Sequence, residues 1–446
     1  MSAKSPLFSR WQYFLGAVVL LLAVLDPFGI SSSSNNASAQ WLNRVFASSY
    51  QSKGQEKIAV IVIDDAYLMR NNTYWPMPYS EQSKLFKRLL AYKPKAVFVD
   101  LLYSHDHSQG EPAQGSQLLA NVFERYRRQG IALLLANTGQ SRGEDGQANT
   151  LASLAETSSP TLVAWSGFSD KYPLAVETPL GVMETPALSL YREYCRDHPC
   201  AELPNDARAA MNEPPIAIQW GLNLAPEQIS IADIAHCSTT NGVILNFLKQ
   251  LSQAVFWKLG DSVQVRCPYS LTLSASDLEV STPEDRALLA QLLRDRLVLV
   301  GANITSTGDL VQSPVHGKIP GIYLHAMALD NLLTLGMQYD REPANLLNFE
   351  VNWLDLLEIS LLGLIALLKA AHARSLAAFN ACGSVLQRSA FFKSPIPSWL
   401  LVIGVLIALS YWLHAIHITP VNVLAALMLS LVLFGEKLEA FFERKN

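Results

Sequence analysis

Ile58-Ala59-Val60-Ile61-Val62-Ile63-Asp64-Asp65 is an unbroken run of apolar, mostly β-branched residues stopped by two acids. A strand covered on both faces reads this way, and such strands belong to parallel sheets. Beyond it, Trp75-Pro76-Met77-Pro78 marks a turn, and Ser80 is placed to cap a helix whose buried face is Leu85, Phe86, Leu89 and Leu90. Pro94 closes that helix. Ala96-Val97-Phe98-Val99 then supplies a second strand, again ending on an acid, Asp100. Strand, helix and strand form a βαβ unit, so the two strands should run parallel with a right-handed crossover.

The alternation continues outward. Leu118, Leu119, Val122, Phe123 and Tyr126 predict a helix that Gly130 terminates, and a strand follows over 131–135. Further strands are expected over 161–165 and 216–220, with a short helix over 189–194 between them. Arg296-Leu297-Val298-Leu299-Val300-Gly301 is the last clear strand. A helix from near Pro320 then presents Ile322, Ala326, Leu329 and Leu333 on one face. The fold class is α/β: a largely parallel sheet flanked by helices in one extracytoplasmic domain, plus four transmembrane helices, one N-terminal and three C-terminal.

Composition supports the membrane part. Hydrophobic residues make up 50% of the 446 and charged residues only 16%, well under the usual quarter of a soluble chain. The apolar run Phe14 to Leu25 follows Lys4 and Arg10. Three more runs, Trp353 to Leu368, Trp399 to Ile416 and Val421 to Phe434, lie near the other end. Arg374, Arg388 and Lys393 fill the loop between the first two of these, and Lys437, Arg444 and Lys445 fill the tail. Positive charge stays inside, which gives a continuous map. Residues 1–10 are cytoplasmic, 11–30 span, 31–347 are extracytoplasmic, and 351–372 span back. Residues 373–397 form a basic cytoplasmic loop, 398–416 and 420–435 span again, and 436–446 are a cytoplasmic tail. A cleaved signal peptide ending near Ala37-Ser38-Ala39 competes with the first anchor, but that triplet lies far beyond the apolar core.

Cysteine placement fits the same map. Cys195, Cys200, Cys237 and Cys267 fall outside and Cys382 inside, and an oxidising compartment permits pairing of the four. Neighbours in sequence, Cys195–Cys200 and Cys237–Cys267, are the expected pairs. Four buried thiols are the alternative. A net charge of −4 argues against nucleic acid as a partner.

Several spaced blocks resemble a known family. Val60-Ile61-Val62-Ile63-Asp64-Asp65, the Trp-Pro-x-Pro turn and Lys95-Ala96-Val97-Phe98-Val99-Asp100 are followed late in the chain by Leu297-Val298-Leu299-Val300-Gly301-Ala302. Then come Asp309, Ser313-Pro314-Val315-His316-Gly317 and Pro320-Gly321-Ile322-Tyr323-Leu324-His325-Ala326. Over roughly Ile58 to Leu335 this is similar to the type-2 CHASE domain, a sensory module outside the cytoplasm in bacterial membrane signalling proteins. The resemblance implies a multi-pass inner-membrane protein with its large domain in the periplasm. Tyr79 stands where the family often has Arg. The cyclase, kinase or phosphodiesterase that usually follows the last helix has no signature here.

Parallel strands bring their carboxyl ends to one edge, where open α/β sheets bind ligands. Asp64, Asp65, Asp100 and Asp309 are therefore the candidate ligand-binding residues, with His325 added from the family comparison. No cofactor is expected beyond a divalent cation that clustered carboxylates could hold. Caps on loop or helix N–H groups are the competing role for Asp64 and Asp100. A bond to a loop carbonyl competes for His325, and a solvated loop for His105-Asp106-His107. No phosphate loop, His-Glu-x-x-His or nucleophile elbow is present. The expected function is a non-enzymatic sensor or scaffold, and an exported metal-dependent hydrolase is the runner-up. Its expected partners are the lipid bilayer, an unknown extracytoplasmic ligand and a separate output protein, with a homo-oligomer left open.

Overall fold

The computed structural model describes residues 30–106, 114–142, 147–148, 150–165, 171–200, 202–231, 245, 268–305, 308–343, 353–361, 363–364 and 396–419. The chain divides into two units, Asn43–Asp340 and the remainder.

The larger unit is built on six strands: β1 (Ile58–Asp64), β2 (Ala96–Val99), β3 (Ala132–Asn137), β4 (Ser159–Leu162), β5 (Leu271–Ser274) and β6 (Leu297–Asn303). Their order is β4-β3-β2-β6-β1-β5, and every pair is parallel. The expected α/β class and βαβ unit are therefore present. However, β1 and β2 do not touch, because β6 lies between them. Its register runs Val62↔Gly301 on one side and Val99↔Val300 on the other.

Alternation along the central strands explains why they are apolar throughout. Val60, Val62, Phe98 and Leu299 point into one core, while Ile61, Ile63, Val97 and Val300 point into the other. Of the helices α1 (Ile30–Phe46), α2 (Asp65–Arg70), α3 (Tyr79–Leu90), α4 (Gly115–Arg128), α5 (Pro186–Cys195), α6 (Pro283–Leu293) and α7 (Ile322–Leu335), the pair α5 and α7 covers the first face. The helices α3, α4 and α6 cover the second. Gly301 lets α7 approach β6, since a Cβ there would sit 2.7 Å from that of Ile322.

Three sequence expectations need correcting. The fourth strand is 159–162 rather than 161–165. Ser80 does not cap α3, which already starts at Tyr79 behind Pro78, with Gln82 N–H donating to the Pro78 carbonyl. Residues 216–220 alternate like a strand but join no sheet. Ile216 bridges only Tyr172, and the N–H groups of Gln219 and Trp220 donate to the side chains of Asn331 and Asn43. Side-chain amides here take the place of a neighbouring strand.

Near the amino ends of the strands, α7 carries a buried polar cluster. Asp330 accepts from Tyr50 Oη at 2.6 Å and Tyr269 Oη at 3.3 Å. Its other oxygen is buried with no partner among the described residues. Burial pushes the Asp330 carboxyl up to about 7, against the pull of both hydroxyls. Asn331 donates to Tyr50 Oη and to the Gln219 carbonyl.

In the smaller unit, helix α8 (Ile396–Ala415) coincides with the third expected span. It buries Val402, Leu406, Ser410 and Leu413, and exposes Leu400, Leu401, Tyr411 and Trp412. Among the described residues, no helix is long and apolar enough to cross a membrane. The first and last expected spans, and much of the second, lie outside the described residues, as does Cys382.

Candidate functional site

A cleft of about 490 Å³ opens at the carboxyl ends of the strands. Three connections build it. The turn after β1 and the start of α3 supply Trp75, Pro76, Met77, Tyr79 and Gln82. The chain leaving β2 supplies Asp100 to Tyr103. Ala302 on β6 and Asp309 beyond it complete the wall.

The walls are stiff because their polar groups are used internally. Tyr79 Oη donates to the His105 carbonyl at 2.6 Å, and Tyr103 Oη donates to Gln82 Oε1 at 2.7 Å. Gln82 Nε2 donates in turn to the Met77 carbonyl at 2.8 Å. The Tyr79 and Tyr103 rings lie 5.7 Å apart, and Tyr103 meets Phe123 edge-on. Buried hydroxyls with partners and interlocked rings leave little freedom to collapse.

Two of the expected acids face this space. Asp100 is half-buried, and its N–H continues the ladder by donating to the Val300 carbonyl. Burial, and then the like charge of Asp309, push its carboxyl up to about 7. Asp309, exposed on its outer side, is raised as well by partial loss of the water around it. Asp309 sits over the first turn of α7: a Cβ on Gly321 would lie 2.6 Å from Asp309 Oδ1. Glycine at 321 is what makes room for that carboxylate.

The other expected residues are placed differently. Asp64 caps α2, accepting from Tyr67 N–H at 2.7 Å. Asp65 accepts from the N–H and hydroxyl of Thr305 at 3.1 and 2.5 Å, which holds its carboxyl below the usual range. Neither lines the cleft. His325 is enclosed in the core beneath β2, where Phe98, Trp165 and Tyr172 meet it edge-on. Its Nδ1 lies 2.8 Å from Tyr172 Oη, and burial lowers its pKa to about 3, so it is neutral. It does not reach the cleft wall. In the His105-Asp106-His107 stretch, His105 Nδ1 is 2.9 Å from Ser104 Oγ and Asp106 accepts from Ser116. His107 lies outside the described residues.

Sequence reasoning missed Trp75, Met77, Tyr79 and Tyr103 as walls of the site. The signal was the Trp-Pro-x-Pro turn itself, which places two large side chains at a strand end. The late motif Ser313-Pro314-Val315-His316-Gly317 links β7 (Leu310–Ser313) to β8 (Gly317–Pro320). Ser313 Oγ accepts from the N–H groups of Val315 and His316, and His316 Nε2 lies 2.9 Å from the Gly221 carbonyl. Its part is structural. Cys195 and Cys200 are joined in a disulfide with Cα atoms 5.5 Å apart, whereas Cys237 and Cys267 lie outside the described residues. Among the described residues, no three His, Cys, Asp or Glu side chains converge as a metal-binding set.

Residues 16–368 match the family model of the CHASE2 domain. The chain belongs to the CHASE2 domain family. CHASE2 is an extracytoplasmic sensory family, so the α/β unit of this CHASE2 protein lies outside the cytoplasm. No curated protein and no solved structure was found to match the chain.

Proposed function

We propose that this CHASE2 protein is a non-enzymatic sensor of the inner membrane whose small-molecule ligand sits in the cleft at the strand ends. The observation that carries this reading is the composition of the wall: two carboxylates, aromatic rings and aliphatic groups, with no Ser, Thr, Cys, Lys or His side chain among the described residues that line it. Such a wall offers acceptors and apolar surface but no hydroxyl, thiol or amine nucleophile with a base beside it. A cavity of this size, at this edge of a parallel sheet, is where an α/β domain holds a small ligand.

The four-span map remains the proposed anchoring. Large apolar side chains on the outside of α8, such as Leu400, Leu401 and Trp412, are what a helix facing lipid presents. These 446 residues contain no cyclase, kinase or phosphodiesterase signature. The partner proposed for the response is a separate output protein, reached through the membrane helices or the basic loop of residues 373–397. A ligand drives it only by binding two states unequally.

The test uses the full chain in nanodiscs, assayed with phosphoester, glycoside and peptide substrates and each common divalent metal. No turnover is expected. Turnover abolished by Asp100→Ala would replace the sensor with a hydrolase. In intact cells, a membrane-impermeant thiol reagent should leave Cys382 unlabelled. Ready labelling would reject the four-span map.

A further inference from the structure

The cleft's chemistry narrows its ligand further than its position does. We propose that it takes an organic ammonium ion, a protonated amine carried on an apolar body, with the nitrogen at Asp100 and Asp309 and the body against Trp75, Leu101 and Leu102. This rests on the cleft being the ligand site.

Hydrogen-bonding capacity comes first. The hydroxyl protons of Tyr79 and Tyr103 are committed to the His105 carbonyl and Gln82 Oε1, and one amide proton of Gln82 to the Met77 carbonyl. Among the described residues, what remains on the wall side chains is the Trp75 indole N–H and a single Gln82 proton, set against Asp309 and an Asp100 carboxyl that a bound cation draws into its charged, acceptor-only form. A carboxylate, phosphate or sugar needs several donors and finds few. An ammonium group brings its own donors and meets unused acceptors.

Charge agrees with this. Among the described residues, no Lys or Arg lines the cleft to neutralise the two acids, and none is among the groups that shift Asp100 or Asp309. The free site carries an unfavourable like-charge contact that helps raise the Asp100 carboxyl to about 7. A cation removes that repulsion on binding, so its affinity includes relief of a cost already present.

Volume separates an organic cation from a metal ion. The cleft holds about 490 Å³, within the range of about 300–1,000 Å³ for small-molecule sites. A bare divalent ion needs some six to eight oxygen ligands close around it. Among the described residues, no group of three potential ligand side chains converges. The half-buried Trp75 ring beside the acids is a surface that attracts alkylammonium and arylammonium groups through its face.

The test is a charge series on one carbon skeleton, read by calorimetry with the full chain in nanodiscs: benzylamine, benzyl alcohol and phenylacetate, with calcium chloride as competitor. Benzylamine should bind about tenfold more tightly than benzyl alcohol, the difference a charge-assisted contact makes, and phenylacetate should be weaker still. Calcium should not displace it. Asp100→Asn should remove about the same tenfold. Gly321→Ala should weaken binding too, because its methyl group displaces the Asp309 carboxylate. Equal binding of the amine and the alcohol, calcium displacement, or an unchanged affinity in Asp100→Asn overturns the proposal. If benzyl alcohol binds as well as benzylamine and Ala302→Leu, which crowds the wall, abolishes both, the cleft remains the ligand site and only the cation is wrong. If no member of the series responds to Ala302→Leu, both readings fail.

Discussion

Replacing Asp330 by Asn should make the stability of the domain less dependent on pH. The carboxyl is wholly buried on α7, and burial raises its pKa from 3.8 to about 7. The folded state therefore holds the proton more tightly than the unfolded state. That contribution is fully present below about pH 4 and is lost as pH rises through about 7. A difference of roughly three units, at about 1.36 kcal/mol each, amounts to about 4 kcal/mol. The substituted amide keeps an oxygen for Tyr50 and Tyr269 and has no charge to bury. In a domain of this size about 4 kcal/mol corresponds to roughly 10 °C in melting temperature. Thermal unfolding of both full-length chains, followed by circular dichroism from pH 4 to pH 8, measures it. Asp100 contributes with the same sign, and His325, lowered to about 3, with the opposite sign: its share is present above about pH 6.5 and lost as pH falls towards 3. Both groups are common to the two chains and cancel in the difference. The gap should widen in the variant's favour between pH 4 and pH 7. A constant gap would mean that Tyr50 and Tyr269 hold Asp330 charged in the fold, and would refute the reasoning.

Gly301→Ala forces its new methyl against Ile322 at 2.7 Å; overpacking of this kind costs about 1–3 kcal/mol, so the melting temperature should fall by several degrees. Asp64→Ala removes the cap on Tyr67 N–H and should lower stability in urea by about 1 kcal/mol while leaving benzylamine binding unchanged, because Asp64 is not part of the cleft. Replacing both Cys195 and Cys200 by Ser opens a loop of sequence separation 5; by loop-closure entropy alone this costs about 2 kcal/mol, measurable as a shift in the urea midpoint.

The parts of this fold that were legible in the sequence are those where one strand declares itself. β1, β2 and β6 are buried on both faces, so each is apolar without interruption. β5 was missed because Leu271-Thr272-Leu273-Ser274 is a four-residue edge strand, with Thr272 and Ser274 only half-buried. Its alternation is too short to stand out. Residues 216–220 misled in the opposite way, since their pattern is that of a strand while their partners are amide side chains. Strand order was not legible, because nothing local in β6 says that it lies between β1 and β2. At the site, parallel direction was enough to bring Asp100 and Asp309 together. It could not show that Asp64 turns back onto its own helix, or that Asp65 is taken by Thr305. Those outcomes depend on a helix starting at residue 65 and on a loop hundreds of residues away. His325 carries a polar label, but its register on α7 places it among rings beneath the sheet.

The central position of β6 also sets a clock on maturation. A chain translocated as it is synthesised presents β1 and β2 early, yet the strand that joins them arrives roughly 200 residues later. At about 5–20 residues per second of synthesis, that delay is about 10–40 s. During it, two of the most apolar segments of the chain have open hydrogen-bonding edges facing each other across a missing strand. Such edges recruit whatever strand is at hand, so the half-exported chain is the stage at which this protein most needs a chaperone.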